Sequence, residues 1–193
     1  MNMKISGGEA GYIKYRKRVL TIKLLLEAGI IAGLLILGYT QTGTRKNLLT
    51  IVAIIGCLPA SKIAVLLLTI LPYKTVSKNI ITDLEEKVAL LTKVYDTILT
   101  STEKILPVDC FVISGNTICG YASHKKADPA YTADFIKQIL KQNGYEGISV
   151  KIFREYHAFL TRAEGMNKIA SVERTQVKDL ENGLKQLLVN ISM

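Results

Sequence analysis

The side chains that could supply a nucleophile and its general base are cysteines and histidines. Cys110 or Cys119 beside His124 or His157 would combine a thiol with an imidazole. Both cysteines fall in apolar, strand-like runs, however, where free cysteine usually serves as a small buried hydrophobe. The third cysteine, Cys57, lies in another apolar run and no CxxC spacing occurs, so we predict neither a disulfide framework nor a zinc site.

One carboxylate has a position suited to metal-assisted hydrolysis. Asp109 follows the start of an apolar, β-branched run, but Mg²⁺-dependent phosphodiester hydrolysis ordinarily uses two carboxylates. The sequence contains no P-loop, no GxGxxG turn and no HExxH helix. We therefore predict no catalytic residue, no bound metal and no cofactor, with Asp109 as the single candidate metal ligand.

Three ionisable residues interrupt the most apolar part of the chain: Lys23, Glu27 and Lys62. A charge at the centre of a bilayer costs several kcal/mol, so such residues need a partner or must reach the interface. Lys23 lies near one end of its run and can extend to the interface. We predict that Glu27 and Lys62 form a structural pair, within one chain or between two, rather than an ion path, because two helices enclose no pore.

The apolar part consists of two runs, Leu24 to Tyr39 and Leu48 to Leu71, joined by a short polar segment. A spanning helix needs about 20 mostly apolar residues, so residues 20–72 predict a membrane hairpin. A cleaved signal peptide is the alternative for the first run, but no small-residue cleavage pattern follows it. Pro59 predicts a kink in the second helix, because proline removes a backbone donor and clashes with the preceding turn.

Small residues in the first run predict close helix packing. Gly29 and Gly33 are one helical turn apart, which is the small-xxx-small arrangement of packed membrane helices. This surface could serve the packing of the hairpin itself or the association of two chains. The sequence leaves both uses open.

The net charge of +9 has its origin beside this hairpin. Residues 1–74 hold ten Lys or Arg against two Glu, whereas the remainder is nearly balanced. Arg16, Lys17 and Arg18 precede the hairpin and Lys74 follows it, which predicts that both termini are cytosolic in a bacterial plasma membrane. The excess charge is therefore explained by topology, and nucleic acid is not the expected partner.

After the hairpin, the sequence predicts a small soluble domain preceded by a helix. Ile81, Leu84, Val88, Leu91, Tyr95 and Ile98 recur at helical spacing, which predicts an amphipathic juxtamembrane helix over 76–102. With the basic N-terminal tail at 1–19, expected to be mobile up to Gly11, the predicted division is 1–19, 20–72, 76–102 and 107–193.

The predicted domain 107–193 is α/β. Gly115-Asn116 between two apolar runs predicts a β-hairpin, Asp128-Pro129 predicts a capped helix start, and Ile148 to Ile152 predicts a third strand. Two helices follow, one closed by Gly165 and one with a stripe of apolar residues from Val177 to Ile191. We predict a mixed sheet of three or slightly more strands, with a parallel pair formed across the intervening helix.

This order of elements resembles the core of restriction-endonuclease-like domains. The resemblance covers about residues 76 to 156 and implies a metal-binding Asp at Asp109 with a Glu-x-Lys on the next strand. Ala122 stands at the position of that Glu and His124 at that of the Lys. The departure implies that nuclease activity is lost. The chain also resembles uncharacterised bacterial two-span proteins with a small cytosolic domain, which implies no activity.

These observations predict a membrane-anchored binding or scaffold domain, with the lipid bilayer and a protein partner or second copy as its contacts. Two alternatives stay open at this stage. One is a membrane-tethered, metal-dependent, nuclease-like hydrolase that uses Asp109. The other is an oligomeric pore-forming unit.

Overall fold

The computed structural model describes residues 5–44, 47–101, 103–125, 127–171 and 178–192. Its internal contacts divide the chain into two compact units. Ile13–Lys74 form the first, which we call the hairpin unit. Met1–Tyr12 and Thr75–Met193 together form the second, which we call the α/β unit. The α/β unit is thus built from two stretches of chain that flank the hairpin unit in sequence.

The hairpin unit contains two long apolar helices, α1 (Tyr12–Thr42) and α2 (Leu48–Ile70). At a rise of about 1.5 Å per residue, α1 is about 46 Å long and α2 about 35 Å, against a hydrocarbon core of about 30 Å. Both helices are long and apolar enough to cross a membrane. α1 begins about two turns before the predicted start at residue 20, and α2 continues through Pro59, at which the kink stays a prediction.

Polar contacts fix the tip of the hairpin. The Asn47 side chain caps α2, because its Oδ1 accepts a hydrogen bond of 2.8 Å from the backbone N–H of Thr50. The Asn47 Nδ2 donates in turn to Thr42 Oγ1 at 3.0 Å, at the end of α1. One side chain therefore satisfies an orphan donor of α2 and ties it to the preceding helix.

A single lysine joins the opposite ends of the two helices. The Lys17 ammonium donates hydrogen bonds to the backbone oxygens of Leu71 and Tyr73, at 2.7 and 2.6 Å. These carbonyls belong to the end of α2, where a cation is favoured by the unsatisfied carbonyl groups and the helix dipole. The start of α1 and the end of α2 therefore lie side by side.

The glycines of the hairpin unit differ in their contribution to helix packing. A Cβ added at Gly56 of α2 would lie 3.4 Å from the Ile31 side chain of α1, so Gly56 lies at the contact between the helices. Apart from the adjacent residues and backbone of α1 itself, no described atom lies within 4 Å of a Cβ added at Gly29 or Gly33. The Gly29–Gly33 pair therefore makes no close contact with α2. Its other possible use, the association of two chains, stays a prediction.

The α/β unit has four helices and four strands in the described residues. The helices are α3 (Lys78–Lys87), α4 (Pro129–Gln142), α5 (Tyr156–Ala170) and α6 (Lys178–Asn190). The strands are β1 (Thr92–Thr100), β2 (Ile105–Ser114), β3 (Thr117–Tyr121) and β4 (Ser149–Phe153). They form one sheet in the order β1-β2-β3-β4, in which only the β3–β4 pair is parallel. The predicted mixed sheet is confirmed, with four strands.

Local signals placed the β-hairpin and the following helix correctly. β2 and β3 pair antiparallel up to Ser114 and Thr117, with Gly115 and Asn116 as the two-residue turn. The Asp128 side chain accepts a hydrogen bond of 3.2 Å from the backbone N–H of Tyr131, which confirms the predicted cap of α4. The parallel β3–β4 pair across α4 is confirmed as well.

Helices cover both faces of the sheet, and each face has its own core. Residues of α4 and α6 complete one cluster, in which Ile136, Leu140 and Leu184 are almost fully buried. Residues of α3 and α5 complete the other, which includes Leu84 and Phe159. Two covered faces make the central strands buried throughout, rather than alternately buried and exposed.

The prediction of one helix over 76–102 is wrong in its second half. α3 ends at Lys87, and Thr92–Thr100 form strand β1 at the edge of the sheet. Threonine, valine, isoleucine and tyrosine dominate this strand, and these residue types favour a pleated, buried surface. Because β1 is buried on both faces, its apolar residues do not alternate and happen to fit a helical spacing. Pro107, which follows the predicted helix, lies within β2.

The prediction of a mobile tail up to Gly11 is also wrong for the described residues 5–11, and the predicted tail 1–19 runs into α1 from residue 12. The backbone oxygen of Gly8 accepts a hydrogen bond of 2.8 Å from the N–H of Tyr95 on β1. Gly8 has φ +84° and a Cβ there would lie 2.8 Å from the Val189 side chain, so glycine permits both the turn and the close approach.

The last two helices differ from their predicted limits. α5 continues through Gly165 to Ala170, because glycine in a helix interior costs only about 1 kcal/mol and does not end the helix. The predicted start of the last stripe at Val177 lies outside the described residues. Leu184 and Leu188 are the fully buried members of α6.

Candidate functional site

The two cysteines of the α/β unit are buried structural residues. Cys110 and Cys119 have no exposed surface and pack in the core between the sheet and helices α3 and α5. Burial raises the pKa of both thiols, and the neighbouring Arg162 only partly offsets this for Cys119. A thiol with a raised pKa is held protonated, which is the opposite of what a nucleophile needs. His157 lies exposed on α5.

The surroundings of Asp109 supply a structural hydrogen bond. One Asp109 oxygen accepts from the backbone N–H of Ser123, just beyond the end of β3. If the β2–β3 pairing is continued by one residue, Ala122 lies opposite Asp109, and Ala122 is buried in the core. His124 lies two residues further on. Within the described residues, no three His, Cys, Asp or Glu side chains come together as a metal site.

Asp128 and Glu155 lie at the starts of helices α4 and α5. Asp128 caps α4 and lies 3.5 Å from the ammonium of Lys104. Its pKa is lowered, chiefly by the hydrogen bond from the Tyr131 backbone. Glu155 occupies the first capping position of α5 without a side-chain cap. The structure therefore places Ala122, which is not a carboxylate, opposite Asp109, and the family resemblance itself stays a prediction.

The predicted intramembrane pair consists of Glu27 on α1 and Lys62 on α2. Glu27 is partly buried, and its Oε2 atom is inaccessible and has no hydrogen-bond partner among the described residues. Lys62 is exposed on α2. Within the part of the chain that the structure describes, Glu27 and Lys62 make no ion pair with each other within 4.0 Å, unlike Lys104 with Asp128 and Lys137 with Asp134. A pair between two chains stays a prediction.

Asp96 is a buried residue that the sequence analysis did not single out and that joins distant parts of the α/β unit. It is 2% exposed, lies in the middle of β1 and has φ +52°. Its Oδ2 accepts a hydrogen bond from the backbone N–H of Gly11, and its Oδ1 accepts one from Val76, both at 2.8 Å. Gly11 and Val76 flank the hairpin unit in sequence. One buried carboxylate thus holds both stretches of chain that lead into and out of the hairpin.

The α/β unit also carries a surface cleft of about 570 Å³. Its walls come from four separate segments: the α3–β1 loop, the β2–β3 turn, the last two turns of α5 and the first turn of α6. Arg162, Lys178 and Glu181 are the charged residues among those that line it. A volume of this order is typical of ligand sites, which span about 300 to 1,000 Å³.

Hydrogen bonds fix the rim of this cleft. Glu181 Oε1 accepts from the backbone N–H of Gly115 at 2.9 Å, and its Oε2 accepts from Thr92 Oγ1 at 2.7 Å. Asn167 Oδ1 accepts from the backbone N–H of Leu90 at 3.0 Å. These contacts join α6 to the β-hairpin turn and α5 to the α3–β1 loop, so the walls are held in place without a ligand.

Comparison with known proteins gives no relative for this chain: no family model, no curated protein and no solved structure matches it.

Proposed function

We propose that this protein is anchored in a membrane by two spans and uses its α/β unit as a binding domain on the cytosolic side. The observation that carries the proposal is the surface of the hairpin unit. Leu25, Leu26, Ile54 and Leu58 are each more than 60% exposed, and they are four of many such residues on α1 and α2. Water would be an unfavourable solvent for this surface.

The free energy at stake favours a lipid environment. Moving one large aliphatic side chain out of water contributes about 1.5 to 3 kcal/mol. Large apolar patches on a folded chain mark a membrane or protein contact. The exposed apolar side chains extend from Ile22 to Tyr39 on α1 and from Leu48 to Leu71 along α2 and its end. Because both helices satisfy their backbone groups internally, they meet the requirement for a membrane span.

The proposed orientation rests on the basic residues and on the contact made by Lys17. The hydrogen bonds from Lys17 to Leu71 and Tyr73 support an antiparallel hairpin whose two outer ends share one side. Arg16, Arg18 and Lys74 lie at those ends, and basic residues of short flanking segments stay cytosolic. The α/β unit, which is continuous with both ends, is then cytosolic.

The proposed mechanism is tethering. A domain confined to the membrane plane meets a membrane-associated partner at a higher effective concentration than a freely diffusing domain does. The two hydrogen bonds accepted by the buried Asp96 support this role, because they hold both segments that lead to the anchor. The cleft of the α/β unit is the proposed place where the partner binds.

Membrane extraction of the full chain tests the anchor. We expect the protein to stay in the membrane pellet after an alkaline carbonate wash. Ile30 and Ile54 are both exposed on the hairpin, and an arginine at the centre of a span costs about 2.5 to 3.5 kcal/mol. The double variant Ile30→Arg/Ile54→Arg should therefore move a large fraction of the protein to the supernatant.

The matched control is Gln138→Arg/Gln142→Arg, which adds the same two positive charges to the exposed surface of α4. This variant should be extracted like the unmodified chain. Release of the unmodified chain by carbonate would contradict the anchor, and so would equal extraction of the double variant and the control.

A further inference from the structure

The cleft of the α/β unit collects the apolar side chains that this unit leaves exposed. In the described chain outside the hairpin unit, the exposed large apolar residues are Leu90, which is 38% exposed, and Ile169, which is 57% exposed. Both line the cleft, from the α3–β1 loop and from α5, and Met166 lies beside them. A single exposed apolar residue is ordinary, but two in the lining of one cleft give it an apolar surface that a partner could cover.

Two positively charged side chains are among the described residues that line the same cleft. Arg162 on α5 and Lys178 at the start of α6 line it. Glu181 is the only acidic residue among the described residues of the lining, and both of its oxygens already accept hydrogen bonds from the rim. The carboxylate is thus engaged within the fold. Arg162 also interacts with the Cys119 thiol, but the side chains of Arg162 and Lys178 are both exposed. Electrostatic complementarity favours an anionic partner.

We propose that this cleft binds an acidic segment of a partner protein that also carries large apolar side chains. Leu90, Met166 and Ile169 would receive the apolar side chains, and Arg162 and Lys178 would pair with carboxylates. Arginine suits this task because its planar guanidinium can hold a carboxylate through two parallel hydrogen bonds. The inference rests on the proposed function, since it names the class of partner that the tethered domain binds.

The rigidity of the rim supports binding to a short segment. The hydrogen bonds of Glu181 and Asn167 already fix the loop, the turn and both helices around the cleft. A preformed site spares part of the ordering cost of association. An extended segment advances about 3.3 Å per residue, so a few residues of the partner suffice to present one or two apolar side chains with adjacent carboxylates.

Binding of synthetic peptides to the full chain in phosphatidylcholine nanodiscs tests this inference. Fluorescence polarisation should measure the affinities of three sets of labelled dodecapeptides. One set is composed of glutamate and leucine, one of glutamate and serine, and one of lysine and leucine. We expect the glutamate–leucine set to bind at least about tenfold more tightly than either of the others. No measurable binding of that set, or equal binding of all three, would overturn the proposal.

Variants place the binding in the cleft. Arg162→Glu should weaken the glutamate–leucine peptides by at least about tenfold, and Ile169→Ser should weaken them several-fold. Lys168→Glu makes the same charge change at an exposed α5 residue outside the lining and should leave affinity within about twofold. Equal losses for Arg162→Glu and Lys168→Glu would assign the binding to net charge and overturn the site. Because carbonate extraction reports the anchor separately, a chain that stays in the membrane but fails here rejects only this inference.

Discussion

Replacement of Asp96 with alanine should lower the free energy of unfolding of the α/β unit by about 3 kcal/mol, the sum expected for two hydrogen bonds to a charged group. The carboxylate is 2% exposed and accepts from Gly11 and Val76 at 2.8 Å each. Its loss leaves two backbone donors without this partner. Alanine is also disfavoured at φ +52°, whereas aspartate and asparagine tolerate this region.

The Asp96→Asn variant separates the contribution of the hydrogen bonds to stability from the contribution of the left-handed backbone conformation. Asparagine accepts the left-handed conformation, but its NH₂ group would face one of the two N–H donors, so most of the loss should remain. Thermal unfolding in detergent measures the change, and hydrogen exchange should show faster exchange at Gly11 and Val76. Asp134→Asn is the control, because that carboxylate is 78% exposed and its ion pair in the described chain is with Lys137 at 3.6 Å. An Asp96→Ala variant as stable as the control would contradict this role.

Gly120→Ala should destabilise the sheet by about 1 to 3 kcal/mol, the usual cost of overpacking a core. A Cβ at Gly120 would lie 2.7 Å from Ile152 Cδ1 and 2.8 Å from Phe111 Cε1. Both neighbours are buried in the core beneath α4 and α6 and have little room to move. Denaturant unfolding should show a lower midpoint.

Gly165→Ala is the matched control for this substitution. Gly165 is exposed on α5, and nothing lies within 4 Å of a Cβ added there. Alanine in a helix interior is favoured over glycine by about 1 kcal/mol, so this variant should raise the midpoint. If Gly120→Ala raised it too, the close packing of β3 against Phe111 would be refuted.

Elements specified by neighbouring residues could be predicted from the sequence. Gly115-Asn116 defines its turn through backbone preferences, and Asp128-Pro129 defines a helix start through one side-chain acceptor and one fixed φ angle. The two apolar helices of the hairpin unit were equally clear, because length and composition suffice to predict them. These signals need no information from distant parts of the chain.

The edge strand β1 could not be predicted in the same way. Helices on both sides of the sheet bury Val94, Tyr95, Ile98 and Leu99 together, which removes the alternation that identifies a strand. Asp96 is the residue that could have revealed it, since a charge inside an apolar run requires specific hydrogen-bond donors. Those donors are Gly11 and Val76, which lie far from Asp96 in sequence, so the pairing is visible only in the fold.

The cleft escapes sequence analysis for a related reason. Leu90, Arg162, Ile169 and Lys178 come from separate segments, and each one by itself is an ordinary surface residue. Their meeting depends on the order of the sheet and on the packing of α5 and α6 at the β2–β3 turn. Local patterns in a sequence do not show which distant surface residues meet in the fold.

Cysteine labelling in intact cells most directly tests the proposed membrane topology. In a Cys57→Ala background, one cysteine is introduced at Thr44 in the hairpin tip or at Lys141 on α4, both exposed. The native Cys110 and Cys119 are buried and have raised pKa values, so they should stay unlabelled in the folded chain. A membrane-impermeant maleimide is then added before or after permeabilisation.

We predict that the cysteine at position 44 is labelled in intact cells and that the one at position 141 is labelled only after permeabilisation. This result would place the hairpin tip on the outer side of the membrane and the α/β unit in the cytosol. Labelling of position 141 in intact cells would contradict the proposed topology, and protection of position 44 until permeabilisation would contradict the two spans.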